Sequence, residues 1–443
     1  MMKRAIRISV LLGTVWAGLA CQGYPFVFQP KGTIGVTRKD VTIDVPSQSD
    51  ILFVIDNSGS MQPKIARLED QVKEFTAALF ATGNKFRIGI TTIDQQDPAT
   101  GSGTPNCDNP PNPTPGADPL FNGVCGHLLA PAGSAGFLDS ANFTTSDEMG
   151  NAVKAYLAHL NPNGSSWEQP VKAAWAALDP ANRAPGKADA GFFRDDALLV
   201  ILILTDESDC SFEPGSSATF IDPSIGAGDA CYAKASQLVP GTEWASRITT
   251  RKGGDPRNVA VGVISGAYFN AAGGIQPGDC YNVPGGTPDV AAECFGFIAD
   301  PFFNSYSPNG HVGDAPCFAV GNNRLFDFSS QFASVRDSIC RTDYSKAMLQ
   351  LANLADRQCF PLDAPPINND TSNISISLER AGEVLFQDVP FTTDASGVTS
   401  GWNYSADPTP QVCLQGTWKR KKGDTIRLYV LDTQTGDTST PAR

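Results

Sequence analysis

The stretch Asp50-Ile51-Leu52-Phe53-Val54-Ile55-Asp56-Asn57-Ser58-Gly59-Ser60-Met61 decides how this chain folds. Ile51–Ile55 is apolar without alternation, the pattern of a central parallel strand buried on both faces. A polar, glycine-bearing corner follows. Then comes Lys64–Phe80, in which Leu68, Val72, Phe75 and Leu79 recur at steps of four and three and form one apolar helix face. A buried strand feeding a helix through a polar corner places Asp56, Ser58 and Ser60 at the carboxyl edge of an α/β sheet. Open sheets of this kind bind their ligands there.

Outward from this core, Phe86–Ile93 reads as the next strand and Gly136–Asp139 as a short return strand. Helices are expected over Asp147–Leu160 and Glu168–Leu178, strands over Ala197–Leu204, Asn258–Ser265 and Val335–Ile339, and a closing helix over Tyr344–Arg357. Strand and helix alternate, so the expected fold is α/β, a doubly wound and mostly parallel sheet. Residues 21–49 read as a strand segment leading in, 50–360 as the α/β domain, and 361–372, with its paired prolines and asparagines, as a linker. Ile374–Leu378, Val384–Val389, Val412–Leu414 and Thr425–Leu431 alternate like antiparallel strands and make 373–443 a small β appendage.

The chain has 443 residues, 46 acidic against 33 basic, and a formal charge of -13. That charge argues against nucleic acid as a partner, because its affinity comes mainly from Lys and Arg neutralising phosphates. The excess of acid itself reads as solubility. At 41% hydrophobic the chain is neither disordered nor a multispan membrane protein. Three histidines, His127, His159 and His311, and no Cys-x-x-Cys leave no zinc spacing and little for a Ser-His-Asp or Cys-His nucleophile. An enzyme is not expected, and a hydrolase is the weakest reading.

Lys3, Arg4 and Arg7 precede a 13-residue apolar run, Ile8–Ala20, and then Cys21. That is an export signal, residues 1–20, too short to span a bilayer. Gly18 and Ala20 suit ordinary signal peptidase, while Gly18-Leu19-Ala20-Cys21 resembles a lipoprotein cleavage box with Gly in place of its usual Leu. Eleven cysteines decide between them. Lipid on Cys21 leaves ten, Cys107, Cys125, Cys210, Cys231, Cys280, Cys294, Cys317, Cys340, Cys359 and Cys413, an even set for disulfides in an oxidising compartment. The lipid-anchored reading is adopted. Gln22, in place of a retention Asp, directs the expectation to the outer membrane, with the cell surface preferred to the periplasm and other envelope proteins as neighbours.

Asp56-x-Ser58-x-Ser60, after a buried strand and before an amphipathic helix, resembles the metal-ion-dependent adhesion site of von Willebrand factor A domains, and the likeness covers residues 50 to 360. Where that family has a Thr in Gly-Gly-Thr, this chain has Asn163-Gly164-Ser165. Where the family closes an apolar strand with Thr-Asp-Gly, this chain has Thr205-Asp206-Glu207. The resemblance therefore implies metal ligation by Asp56, Ser58, Ser60, Ser165 and Asp206, with Mg²⁺ as cofactor, or Mn²⁺ or Ca²⁺. The chemistry agrees: carboxylate and hydroxyl oxygens suit a hard cation, and neutral Ser ligands leave charge for a partner's carboxylate to complete the shell. The implied partner is an acidic ligand, a protein carboxylate or an acidic polysaccharide. Glu207 and Asp209 add negative charge that could support a second cation. The alternative is that Asp56, Ser58 and Ser60 only cap the helix.

Three long segments, 95–135, 207–240 and 266–325, start where parallel strands end on the metal side. Cys107–Cys125 and Cys210–Cys231 are the natural local pairs within them. Seven of the ten cysteines fall on these rim segments and three, Cys340, Cys359 and Cys413, beyond them. If all ten pair, at least one disulfide must join the two groups. Altogether the chain is similar to the A-domain lipoproteins of myxobacteria. That likeness implies a metal-dependent envelope adhesin, with attachment to the substratum in gliding motility as one process it would serve. The alternative is an envelope scaffold with a purely structural metal site.

Overall fold

The computed structural model describes residues 33–43, 48–95, 107, 123–131, 134–161, 164–165, 167–180, 189–215, 231, 234–269, 275–277, 279–282, 292–295, 319–341, 343–389, 392–393, 399–406, 410–416, 420 and 423–434. The expected leader, the lipidation residue Cys21, Asn163 and Cys317 lie outside the described residues.

In chain order the strands are β1 (Thr33–Thr42), β2 (Gln48–Ile55), β3 (Lys85–Thr92), β4 (Phe137–Asp139), β5 (Leu198–Leu204), β6 (Val259–Ser265), β7 (Ala267–Phe269), β8 (Ile275–Pro277), β9 (Asp279–Asn282), β10 (Ala292–Phe295), β11 (Ala333–Ser338), β12 (Gln358–Pro361), β13 (Ile374–Arg380), β14 (Glu383–Gln387), β15 (Thr392–Thr393), β16 (Thr399–Ser405), β17 (Gln411–Gln415) and β18 (Thr425–Gln434). The helices are α1 (Gln62–Thr82), α2 (Ser146–Leu157), α3 (Pro170–Ala177), α4 (Gly241–Arg251), α5 (Asn323–Ser329) and α6 (Ser345–Ala355).

A six-stranded sheet in the order β11-β6-β5-β2-β3-β4 forms the body. Its first five strands run parallel, and β4 closes the edge antiparallel to β3. Successive side chains of a strand point to opposite faces, so β2 feeds two cores. Ile51, Phe53 and Ile55 pack with Leu68, Val72 and Phe75 of α1, Met149 and Val153 of α2, and Met348 and Leu351 of α6. Leu52 and Val54 pack on the other side with Val171 of α3, Trp244 and Ile248 of α4, and Leu325 and Phe328 of α5. Both faces of the sheet are thus covered by helices, which is why its central strands are apolar throughout. α1 stops at Gly83, whose φ of +77° supplies the left-handed cap that a residue with a Cβ adopts only with strain.

The chain's first described strand closes on its last: β1 pairs with β18 from Thr33↔Gln434 to Thr42↔Thr425. Sheets β1-β18-β13-β14 and β12-β17-β16-β15 share a core containing Ile43, Phe360, Leu362, Ile376, Leu378, Trp402, Val412, Leu414, Ile426 and Leu428. The segment from 361 on, read as a linker, begins inside this core. Leu362 is buried there and its N–H donates to Pro410 O at 2.8 Å. The β unit also holds the α/β body: Arg420 and Asp356, both buried, form an ion pair, and Arg257 donates to Gln411.

Two helices have no counterpart in the sequence reading. α4 starts after Pro240 with only Trp244, Ala245 and Ile248 buried in its interior, too sparse a stripe to stand out. α5 has seven residues and sits at the end of a segment read as irregular. That segment also contains two small antiparallel pairs, β7 with β8 and β9 with β10, the second setting the Cys280 and Cys294 backbones opposite each other. The disulfides Cys107–Cys125 and Cys210–Cys231 form as expected, and Cys359–Cys413 links paired residues of β12 and β17. Cys359 and Cys413 are thus joined to each other within the C-terminal group.

Candidate metal centre

β2 and β5 are neighbours, and each ends at the rim in an acid. The Asp56 N–H donates to Leu204 O at 2.9 Å, fixing the two strand ends together. Asp56 and Asp206 are both fully buried, at 0% exposure. Asp56 Oδ1 accepts from the Ser58 N–H at 2.9 Å and Oδ2 from the Thr205 hydroxyl at 2.7 Å. Above this floor the Ser58 and Ser60 hydroxyls face each other at 3.1 Å, both half-buried. Neither caps a helix: Ser58 makes no side-chain capping bond to the short turn Gly59–Met61, and α1 begins without one.

The third loop approaches from the other side of Asn57. Gly164 N–H donates to Asn57 O at 3.2 Å, and a Cβ on Gly164 would stand 2.7 Å from Asn57 Oδ1. That close approach is the physical reason for glycine there. Ser165 is buried, its N–H donating to Asp94 Oδ1 at 2.5 Å and its Oγ accepting from the Trp167 N–H at 3.0 Å. Asp94 also accepts from the Asn57 amide at 3.0 Å, so it ties the Ser165 loop to the Asp56–Ser60 corner. Gly164→Ala is expected to push these loops apart, weakening cation binding on the order of tenfold with a loss of about 1–3 kcal/mol in stability. Titration calorimetry and urea melts check it, and an unchanged variant would refute the close-packing account.

The electrostatics of the floor are those of crowded acids. Burial, reinforced by Asp206, pushes the Asp56 carboxyl up to about 7. Burial, then Asp206 and Asp56, pushes Glu207 up to about 8, and burial with Glu207 and Asp56 raises Glu168 well above the carboxylate range. Asp206 Oδ1 is buried without a hydrogen-bond partner, while Oδ2 accepts from the ammonium of Lys64, itself 0% exposed. Among the described residues no three His, Cys, Asp or Glu side chains form a ligand cluster. The donor set here is instead two buried carboxylates under serine hydroxyls. An orphaned buried oxygen on Asp206, which faces the Asp56 carboxylate, together with the two hydroxyls of the Asp56 corner that cap nothing, fits a hard cation.

Of the five residues singled out in the sequence, Asp56, Ser58 and Ser60 come from one corner, Asp206 from the adjacent strand end, and Ser165 is linked to them through Asn57 and Asp94. The Asp209 carboxylate is engaged elsewhere, its Oδ2 accepting from Arg324 Nε at 3.1 Å. Lys64, Asp94, Thr205 and Glu168 were not anticipated as parts of the site. Lys64 alone left a trace, a charge four residues before Leu68 on the apolar stripe of α1.

No family model and no curated protein matches the chain. Among solved structures, proximal thread matrix protein 1 from the mussel byssus aligns over 73% of this chain and 51% of its own, with 11% identity and a TM-score of 0.33. The pilus adhesin SpaC from Lactobacillus rhamnosus GG aligns over 89% of this chain and 41% of its own, with 9% identity and a TM-score of 0.24. This chain therefore spans about half or less of either, and TM-scores of this size carry no argument for fold or function.

Proposed function

We propose that the chain is an exported, lipid-anchored envelope adhesin whose α/β body is a von Willebrand factor A-type domain. In this reading Asp56, Ser58, Ser60, Ser165 and Asp206 hold a divalent cation, Mg²⁺ first, that receives an acidic group of the ligand. The observation that carries it is the pair of half-exposed hydroxyls, Ser58 and Ser60, set over two fully buried carboxylates and engaged in no helix cap. A cation held there supplies positive charge that neutral hydroxyls leave uncompensated, so a carboxylate from outside can complete its shell. The chain's own residues do the rest. The buried acids anchor the charge, the hydroxyls face solvent, and the segment after Asp206, stapled by Cys210–Cys231, limits the entropy lost on docking.

Asp56→Ala is expected to abolish Mg²⁺ binding in calorimetry and to remove cation-dependent attachment to carboxylate-bearing surfaces, with Cys107–Cys125, Cys210–Cys231 and Cys359–Cys413 intact by mass spectrometry. Attachment by Asp56→Ala or by chelator-treated protein equal to wild type would overturn the adhesin reading. Loss of thermal stability on chelation with attachment unchanged would select the scaffold instead.

A further inference from the structure

Lys64 belongs to the site, yet neither the motif nor the proposed function uses it. It lies in the first turn of α1, four residues after Ser60, on the stripe that continues through Leu68, Val72 and Phe75 into the core. Its side chain has no exposure, and its ammonium is ion-paired to Asp206 Oδ2. Lysine is almost never fully buried unless paired. Here the pairing is with the carboxylate assigned to the metal, leaving Oδ1 of the same carboxylate buried and without a hydrogen-bond partner.

We propose that Lys64 is the built-in counter-cation of this centre: its ammonium competes with the divalent ion for Asp206, sets the affinity, and holds the rim together when no metal is bound. This rests on reading the site as a metal centre. A divalent ion arriving at Asp56 and Asp206 meets a fixed positive charge already on one Asp206 oxygen, and in a site screened from water that repulsion weakens binding. Because Oδ1 is left for the ion while Oδ2 stays with Lys64, the competition lowers affinity without forbidding binding. Without the ammonium, the metal-free floor holds the buried Asp206 carboxylate with no compensating charge from α1, and the fold becomes dependent on the ion.

The test uses the full chain, with Mg²⁺ alone as the probe, in calorimetry and thermal melts. Lys64→Met is expected to bind Mg²⁺ on the order of tenfold more tightly, a change of about 1.4 kcal/mol. Free of metal it should melt roughly 5–10 °C below wild type, and saturating Mg²⁺ should return it to the wild-type temperature. Lys64→Arg keeps the charge and should keep wild-type affinity. If Lys64→Met does not fold, Lys64→Gln removes the charge while keeping a donor for Asp206, and the same gain in affinity is expected.

Wild type and the neutral variants binding equally would overturn the proposal and leave the metal centre standing. Binding by neutral variants alone would support Lys64 as the resident cation and end the metal reading for the native chain. Binding by none would overturn both.

Discussion

Stripped of metal, the protein is expected to lose stability as pH rises from about 4 to 8, and Mg²⁺ is expected to restore it at pH 8 but not at pH 4. Asp56 and Glu207 carry folded-state values raised to about 7 and about 8, against ordinary values of 3.8 and 4.5. Burial is the first cause for each, followed by neighbouring carboxylates. In the unfolded chain both acids ionise near their ordinary values, so across this window the unfolded state has released protons that the folded state retains. Stability therefore falls with rising pH through the window and levels off above the folded values, a total of several kcal/mol. A divalent ion between Asp56 and Asp206 cancels the repulsion that drives the fall. At a hundredfold excess over its dissociation constant it also adds about 2.7 kcal/mol through binding.

Asp56→Asn isolates the effect, since it removes the Asp56 charge but keeps the shape, and should flatten much of the metal-free slope. Thermal melts at half-unit pH intervals, with chelator and with Mg²⁺, make the measurement. A metal-free melting temperature that does not fall between pH 4 and 8, or the same Mg²⁺ shift at both ends, would refute this electrostatic account of the rim.

What could be read in the sequence follows the range of the interactions involved. The β2–α1 unit was legible because its signals are local: an unbroken apolar run, then Leu68, Val72, Phe75 and Leu79 at helical spacing. Asp56, Ser58, Ser60 and Asp206 were legible because each sits at the end of such a strand. The pairing of β1 with β18 was not, since it joins residues nearly 400 positions apart and no local pattern records a partner. The packing of Leu362 was hidden by the prolines around it, which read as a joint whether or not the segment is covered. Asp94 and Glu168 acquire their places through contacts between distant segments, among them the isolated bridge between the two and the Asp94 bonds to Ser165 and Asn57. A charge such as Lys64 on an apolar stripe is the kind of local contradiction that marks a site, because burying it requires a buried partner.

The largest structural effect outside the acid floor is expected at Arg324, the α5 residue that fastens the segment following Asp206. Arg324 is 3% exposed and Asp209 0%. The guanidinium donates from Nε to Asp209 O at 2.9 Å and Oδ2 at 3.1 Å, and from Nη2 to Val239 O at 2.6 Å. Asp209 accepts in addition from the Ser211 hydroxyl at 2.5 Å. One side chain thus binds both ends of the segment that carries Glu207 and the Cys210–Cys231 disulfide. Arg324→Met leaves Asp209 charged, buried and without its ion partner, which should destabilise the protein by about 3–5 kcal/mol. The pair itself is worth far less, because forming it already required desolvating both charges. Arg324→Met combined with Asp209→Leu should therefore recover much of the loss, so that the double variant is more stable than Arg324→Met alone. Urea unfolding of the two single variants and the double variant decides the matter. A double variant as unstable as the sum of the singles would mean that the backbone contacts to Val239 and Asp209 O, and not the buried charge, hold the segment in place.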